Sequence, residues 1–541
     1  MSVTCLMFAL LFTLSVPAPP SAPPPTVRLK AGVVEGVRFG PAPNEVAFLG
    51  IPYAAPPVGA LRWTPPRPVS AWSGVRKATT FGASCPQLPQ RWLPDVEWNE
   101  DCLHVSVWTT APTSSPRQRA EHEAKQSAKR PVVVWLHGGS NKAGNSHHDL
   151  IGPALARRGV VFVAVNYRLG PFGFLAHPWL TAESGHRSSG NYGLLDQLEA
   201  LRWVRENIAA FGGDPARVTL MGHSAGAVDA CLLMVSPLAA GLFHRAILHS
   251  GECQATLTAD IRTTLHYNGI TGNGEEMGQR LARALAVTSV AALRDVPAET
   301  ILSTWRDQPE LAFETIVDGW VIPNQPARTF ATGKQLDIPV LVGSNTDEAT
   351  IFNLGAIKTV AQYKAYLAAD TGAYADRQLE TYPVATDAEV PARFLQLMTD
   401  SFGFGAHALA RSVTRTGQRA YLYSYSYAGR GTGAPAGAFH GAELMVLGGV
   451  FPGDWKRAEN DDRLGDAMRG YWVRFATTGD PNGGSTATSP RWRAYDPSDD
   501  QCLDLGPTIA MRPVPRAAQF TALDRIMQRI LAETTKAPSS P

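Results

Sequence analysis

Gly222-His223-Ser224-Ala225-Gly226 stands between two apolar runs, Arg217-Val218-Thr219-Leu220-Met221 before it and Ala227-Val228-Asp229-Ala230-Cys231-Leu232-Leu233-Met234 after it. The first run is short and β-branched and reads as a buried strand; the second reads as a helix. Strand, G-x-S-x-G, helix is the setting of a nucleophile elbow. The flanking glycines permit a sharp, strained turn, and the helix N-terminus then aims free N–H groups at a reacting oxygen. Without those flanks the five residues would read as a helix-capping serine in a small-residue turn. With them, Ser224 is a candidate nucleophile.

A serine hydroxyl needs a neighbouring base to take its proton. Where a serine sits on such an elbow, the triad runs in the chain order serine, acid, histidine. Only His244, His249, His266, His407 and His440 follow Ser224. His244 and His249 flank the next apolar run, Ala246-Ile247-Leu248, too near to come third. His407 sits in a helical pattern and reads as a packed or surface histidine. His266 lies in a polar stretch with no strand leading into it. His440 sits in the small-residue loop Gly437-Ala438-Phe439-His440-Gly441-Ala442-Glu443, after the strand-like Ala420–Ser426 run. Loops that leave core strands carry the working residues of an α/β sheet.

The strand-like Ile338–Gly343 run is followed by Ser344-Asn345-Thr346-Asp347-Glu348-Ala349. Apart from Asp318, Asp347 and Glu348 are the carboxylates at such a strand end between Ser224 and His440. Either could orient the base. Asp347 suits a helix N-cap, which would leave Glu348 to His440. Upstream, the strand Pro131–Leu136 runs into His137-Gly138-Gly139. Glycines there let N–H groups approach a developing oxyanion, with Ala225, the residue after the serine, as the third donor.

Taken in order, these segments resemble the type-B carboxylesterases, with the cholinesterases among them, from about Val27 to Phe520. The resemblance is carried by Phe48-Leu49-Gly50-Ile51-Pro52-Tyr53-Ala54, Pro57–Trp63, Glu100-Asp101-Cys102-Leu103, His137-Gly138-Gly139, Asn166-Tyr167-Arg168-Leu169-Gly170, Gly190–Gln197, Gly212-Gly213-Asp214-Pro215, the elbow, and Thr346-Asp347-Glu348. It implies an α/β-hydrolase fold, with a central, mostly parallel twisted sheet flanked by helices and long loop excursions. It implies Glu348 as the acid, His440 as the base, and Ser250, in His249-Ser250-Gly251, as a serine beside the triad. It also implies a disulfide between Cys85 and Cys102.

Two residues depart from the pattern. Ser140 stands where the family often has a third glycine, so the pocket beside the hole is expected to differ in shape. His223 stands where cholinesterases carry a glutamate, which weakens the case for a cationic substrate. Trp92, ten residues before Cys102, resembles the tryptophan on which cholinesterases stack a quaternary ammonium. It reads more simply as an aromatic wall of a general ester pocket.

The chain has 541 residues, 44% of them hydrophobic, enough for a large core. Length alone suggests several domains, but a triad scattered over more than 200 residues must converge, so residues 26–535 read as one. A net charge of +2 offers no field for nucleic acid or an anionic membrane. The Cys5–Val16 run is too short to span a bilayer and reads, with the Pro-rich tether to residue 25, as a secretory signal. The mature protein is then expected to be secreted or periplasmic and free of the membrane, and residues 536–541 read as a disordered tail. Cys231 falls on an apolar helix and reads as a buried thiol; Cys253 and Cys502 carry no assignment. His147-His148 reads as a surface pair without metal-ligand spacing. No metal or cofactor is implied. The expected activity is hydrolysis of small-molecule carboxylic esters through an acyl-enzyme. The alternatives are a cholinesterase-like enzyme, an amide or thioester hydrolase, and a non-catalytic adhesion protein of the cholinesterase-like kind.

Overall fold

The apolar runs of the sequence become the strands of one eleven-stranded sheet in a computed structural model. The structure describes residues 23–534 except 94–95, 111–128, 148–150, 256, 268–269, 353, 430–436, 452–458 and 484–488. Residues 1–22 of the expected signal and tether segment (1–25), His148 and the C-terminal tail lie outside the described residues.

In chain order the strands are β1 (Val37–Arg38), β2 (Val46–Pro52), β3 (His104–Thr109), β4 (Arg130–Leu136), β5 (Val161–Val165), β6 (Gly213–His223), β7 (Arg245–His249), β8 (Val340–Asn345), β9 (Ala420–Tyr425), β10 (Gln501–Leu505) and β11 (Ile509–Pro513). Across the sheet they run β11-β10-β9-β8-β7-β6-β4-β5-β3-β2-β1. All pairs from β10 to β5 are parallel; both edges are antiparallel. A parallel sheet is covered on both faces, so β5, β8 and β9 read as uninterrupted buried runs.

Alternate side chains feed two cores. Val132, Val134 and Leu136 of β4 join α1 (Tyr192–Asn207), α2 (Ala225–Val235) and α3 (Val390–Thr414) on one face. Val133 and Trp135 join α4 (Ala442–Gly448) and α5 (Glu459–Thr478) on the other. The alternating Tyr421, Tyr423, Tyr425 and Tyr427 all pack into this second core. Leu194, Leu198, Leu201 and Val204 form the buried stripe of α1, whereas Ile208 opens a separate 3₁₀ turn. The signature residues Arg62 and Arg168 hold loops through two-pronged pairs, Arg62 with Glu100 (2.7 and 2.5 Å) and Arg168 with Asp196 (2.7 Å twice).

The strand order places the functional segments. From β4 the chain goes outward to β5 and then returns to the other side at β6, which makes the β4/β6 border a switch point. The carboxyl ends of β4, β6, β7 and β8 lie side by side there: Leu136 is in register with Gly222, His223 with His249, and His249 with Gly343.

Candidate active site

β6 ends at His223 and α2 begins at Ala225, so Ser224 alone makes the turn between them. It does so at φ 53°, ψ −125°, a conformation costing a non-glycine residue about 1–3 kcal/mol. The neighbours hold it there. Ser224 N donates to the His249 carbonyl at 2.9 Å, and the Ser224 carbonyl accepts from Ala227 N and Val228 N, both at 2.9 Å. The two motif glycines are demanded by close backbone approach. A Cβ on Gly222 would stand 2.2 Å from the Gly226 carbonyl oxygen, and one on Gly226 2.2 Å from that of Leu136.

Glu348 lies in the turn after β8 and is fully buried. Its Oε2 is 2.5 Å from His440 Nδ1, while Oε1 accepts the Asn345 backbone N–H at 2.7 Å. With Nδ1 engaged, His440 keeps Nε2 for another partner; Nε2 is buried and hydrogen-bonded to nothing here, Ser224 Oγ included. Asp347 occupies the N-cap position of this turn without a side-chain capping bond. Its carboxylate instead accepts from Ala438 N at 2.9 Å, in the loop that carries His440. The remaining carboxylate, Asp318, binds Ser188, Trp320 N and Ile322 N. His407 is buried in α3 against Asp500 and Tyr495.

The Gly138 loop packs directly on the elbow: a Cβ on Gly138 would stand 3.0 Å from Ser224 Cβ. No described group accepts the Gly138 or Gly139 N–H, and Ala225, the first residue of α2, has no intrahelical acceptor for its own. Gly139, Ser140 and Asn141 take φ of 112°, 56° and 54°. Ser140 is exposed and adopts a left-handed conformation that glycine favours, so its substitution there leaves the loop path intact. Behind the loop Asn141 Nδ2 donates to Asp229 of α2 at 2.9 Å, and Gln197 Nε2 donates to the other oxygen of Asp229 at 2.6 Å. Burial pushes the Asp229 carboxyl up to about 7 against these two donors. Asp229 was legible only as a lone acid in an apolar helix. It ties the Gly138 loop to the helix that follows Ser224.

Trp92 reaches over the loop, its Cη2 3.4 Å from the place of a Cβ on Gly139. On the opposite side Phe352 and Phe402 stack at 6.1 Å and lie 5.2 and 5.0 Å from the His440 ring. No motif announced these two phenylalanines. Ser250 follows β7 at φ 50°, its buried Oγ without a hydrogen bond. The next residue, Gly251, packs against the Ser224 carbonyl.

Disulfides join Cys85 to Cys102 and Cys231 to Cys253. The second corrects the reading of Cys231 as a thiol. Its helix position and apolar neighbours are as expected, but the loop after β7 brings Cys253 to within 5.6 Å, Cα to Cα. Sequence periodicity cannot report that approach. Cys502 is buried and free.

A model of the carboxylesterase family matches residues 23–522. The chain belongs to the carboxylesterase family. It is 36% identical over 479 residues to a fumonisin B1 esterase of Sphingopyxis macrogoltabida, covering 86% of this chain and 84% of that one. It is 31% identical over 597 residues to mouse neuroligin-3, covering 95% and 70%. Among solved structures a PNB esterase superposes with a TM-score of 0.76 at 30% identity, over 92% of this chain and 99% of that one. The fold is that of the α/β-hydrolase esterases, and the chain is a carboxylic-ester hydrolase acting on small-molecule esters. Two disulfides fit an extracellular protein, and no described helix is long and apolar enough to cross a membrane.

Proposed function

We propose that Ser224 is the nucleophile of a serine carboxylesterase mechanism, with His440 as general base and Glu348 as the acid that orients it. The observation that supports this most is the buried Glu348–His440 pair at 2.5 Å beside a serine held at φ 53° on a strand-to-helix turn. Glu348 fixes the proton on His440 Nδ1, leaving Nε2 with a lone pair to take the Ser224 proton. The Ser224–His440 hydrogen bond closes when substrate binds. Ser224 Oγ attacks the ester carbonyl. The resulting oxyanion is held by the N–H groups of Gly138, Gly139 and Ala225. His440 then protonates the departing alcohol, and a water activated by the same histidine releases the acid.

The aromatic rims formed by Trp92 and by Phe352 with Phe402 favour neutral esters with apolar or aromatic acyl groups. Fumonisin B1, named in a relative, belongs among the substrates to assay. The intact serine, acid and histidine argue against a non-catalytic adhesion role. The N-terminal apolar run directs the chain to secretion or the periplasm in this reading. Labelling with a fluorophosphonate followed by peptide mapping tests the assignment: the adduct is expected on Ser224, and an unlabelled Ser224 in enzyme that hydrolyses p-nitrophenyl acetate would refute it.

A further inference from the structure

Ser344 and Ser424 stand in register on the neighbouring strands β8 and β9. Val342 and Leu422, two residues before each, belong to the core on the α3 face, so by strand alternation both serines point to that face. There α3 and α6 (Ala517–Thr534) leave a cavity of about 80 Å³ against the sheet, lined by both serines. The two residues are only 8% and 9% exposed, and neither hydroxyl has a hydrogen bond among the described residues. Thr346 and Pro515 on the cavity wall are exposed, whereas Leu422, Cys502 and Phe520 are buried, so the space runs inward from solvent to the sheet.

Its wall offers no free charge. Arg516 Nε donates to Asp400 Oδ2 at 2.6 Å, and the Tyr382 hydroxyl donates to the same oxygen at 2.9 Å. His407, bonded through Nε2 to Asp500 at 2.7 Å, is kept neutral by burial, which also pushes the Cys502 thiol up to about 12. An ion entering here would lose its hydration without gaining a countercharge. Two unengaged hydroxyls, each able to donate and accept, suit a ligand with hydroxyls of its own. Leu422, Val514 and Phe520 give its carbon atoms apolar contact. The space holds about five water-sized groups. The same cavity touches the turn that carries Glu348, because Asn345 and Thr399 are on its wall. Asn345 N donates to Glu348 Oε1 at 2.7 Å, and Ala349 N donates to Thr399 Oγ1 at 3.2 Å. Ser224 and His440 do not line it.

We propose that this cavity is a second binding site, separate from the ester pocket, for a small neutral alcohol or diol, and that its occupant braces the Glu348 turn. The bracing rests on the reading of Glu348 as the acid that orients His440. An occupant bonded to Ser344 and Ser424 fills the space beneath Asn345 and Thr399, which restricts the turn to the position in which both of its bonds are made. A larger share of the enzyme then holds Glu348 against His440.

The test uses propylene glycol on the full chain. Saturation-transfer NMR on enzyme already blocked by a fluorophosphonate reads binding outside the ester pocket, and a saturable signal is expected. Ser424→Leu, which fills the cavity, should abolish it. Ser344→Ala and Ser424→Ala, which fill nothing and keep the test if leucine is not tolerated, should each weaken binding about fivefold. Acetate and methylammonium should not displace the diol. On unblocked enzyme the diol should raise the rate of fluorophosphonate inactivation about twofold with the same half-saturation, an effect absent in Ser424→Leu. Inactivation has no deacylation step, so acyl transfer to the diol cannot mimic it. A signal linear in diol concentration, one that survives Ser424→Leu, or one unchanged in both alanine variants overturns the site. Displacement by either ion overturns the neutral class, and an unchanged inactivation rate at saturation overturns the bracing. Failure of the Glu348 reading would look different: Glu348→Gln would be inactivated at the wild-type rate while diol binding persisted.

Discussion

Asp347 and Ala438 are joined by two hydrogen bonds, Asp347 N to the Ala438 carbonyl at 3.1 Å and Ala438 N to Asp347 Oδ2 at 2.9 Å. They lock the turn after β8 to the loop bearing His440, while the next residue, Glu348, bonds the imidazole itself. Two adjacent acids thus have separate tasks. Glu348→Gln is expected to lower kcat by several orders of magnitude, because a neutral amide neither supports the imidazolium nor fixes its tautomer. Asp347→Asn keeps an acceptor for Ala438 and is expected to stay within about tenfold of wild type. Steady-state kinetics on p-nitrophenyl acetate decide it; the reverse ranking would reassign the acid.

Ser224→Ala and His440→Ala are each expected to reduce ester turnover by several orders of magnitude. The double variant should lose little more, since the residues act as a unit. More than a tenth of wild-type activity in Ser224→Ala would end the nucleophile assignment.

Much of this site was legible because its chemistry sits in short motifs at strand ends. The elbow and His137-Gly138-Gly139 needed only local patterning, whereas the choice of Glu348 over Asp347 needed the family resemblance. What escaped was assembled by tertiary approach. Asn345 reads in the sequence as an ordinary residue of the segment leaving a strand, yet its backbone N–H binds Glu348 and its side chain binds the Phe439 carbonyl and Glu443. Phe352 and Phe402 are 50 positions apart and meet only because α3 crosses the turn after β8. Cys231 and Cys253 belong to elements whose periodicity carries no trace of the other. The fold class was legible for the opposite reason: buried parallel strands declare themselves as continuous apolar runs.

Asp229 clamps the loop proposed to hold the oxyanion from behind, so its loss is expected to cost transition-state stabilisation more than ground-state binding. Asp229→Ala strands the amides of Asn141 and Gln197, a stability loss of about 2 kcal/mol. It should lower kcat by tenfold or more with KM little changed. Urea denaturation alongside kinetics separates the two effects, and an unchanged kcat would detach Asp229 from the hole.

The Cys231–Cys253 bridge closes a 22-residue separation between α2 and the loop after β7. Loop-entropy arguments give about 3 kcal/mol for it. Unreduced peptide maps should show Cys85–Cys102 and Cys231–Cys253 as linked fragments, with Cys502 alkylated only after unfolding. Cys231→Ser/Cys253→Ser is expected to fold with a lower midpoint in urea. Recovery of Cys231 as a free thiol from exported protein would sink the pairing.

Glu443 gives the fold an acid-sensitive element. Its carboxyl is held at about 2 against an ordinary value of 4.5, so the folded state binds this proton less readily than the unfolded chain. The stability it contributes is present above about pH 4.5 and is lost as pH falls through 2. Glu443→Gln should therefore be less stable than wild type at pH 7, with the gap narrowing between pH 4.5 and 2. Urea midpoints across that range measure it; a constant gap would mean that the charge contributes nothing.

Substrate preference follows from what surrounds Ser224. The residue before it is an imidazole, and the near-neutral chain provides no long-range steering for cations. Trp92 stands over the Gly139 loop, 44% exposed as a residue, and could stack on a quaternary ammonium, but that contact is worth only about 0.5–2 kcal/mol, or roughly thirtyfold at best. Phe352 and Phe402 add apolar surface beside the His440 ring. Neutral esters with short or aromatic acyl groups are therefore expected to match or exceed choline esters of the same acyl group in kcat/KM. Trp92→Ala should weaken both classes by similar factors, since the ring offers the two the same apolar face. A choline ester favoured a hundredfold, with the preference collapsing in Trp92→Ala, would instead make cation recognition the purpose of this pocket.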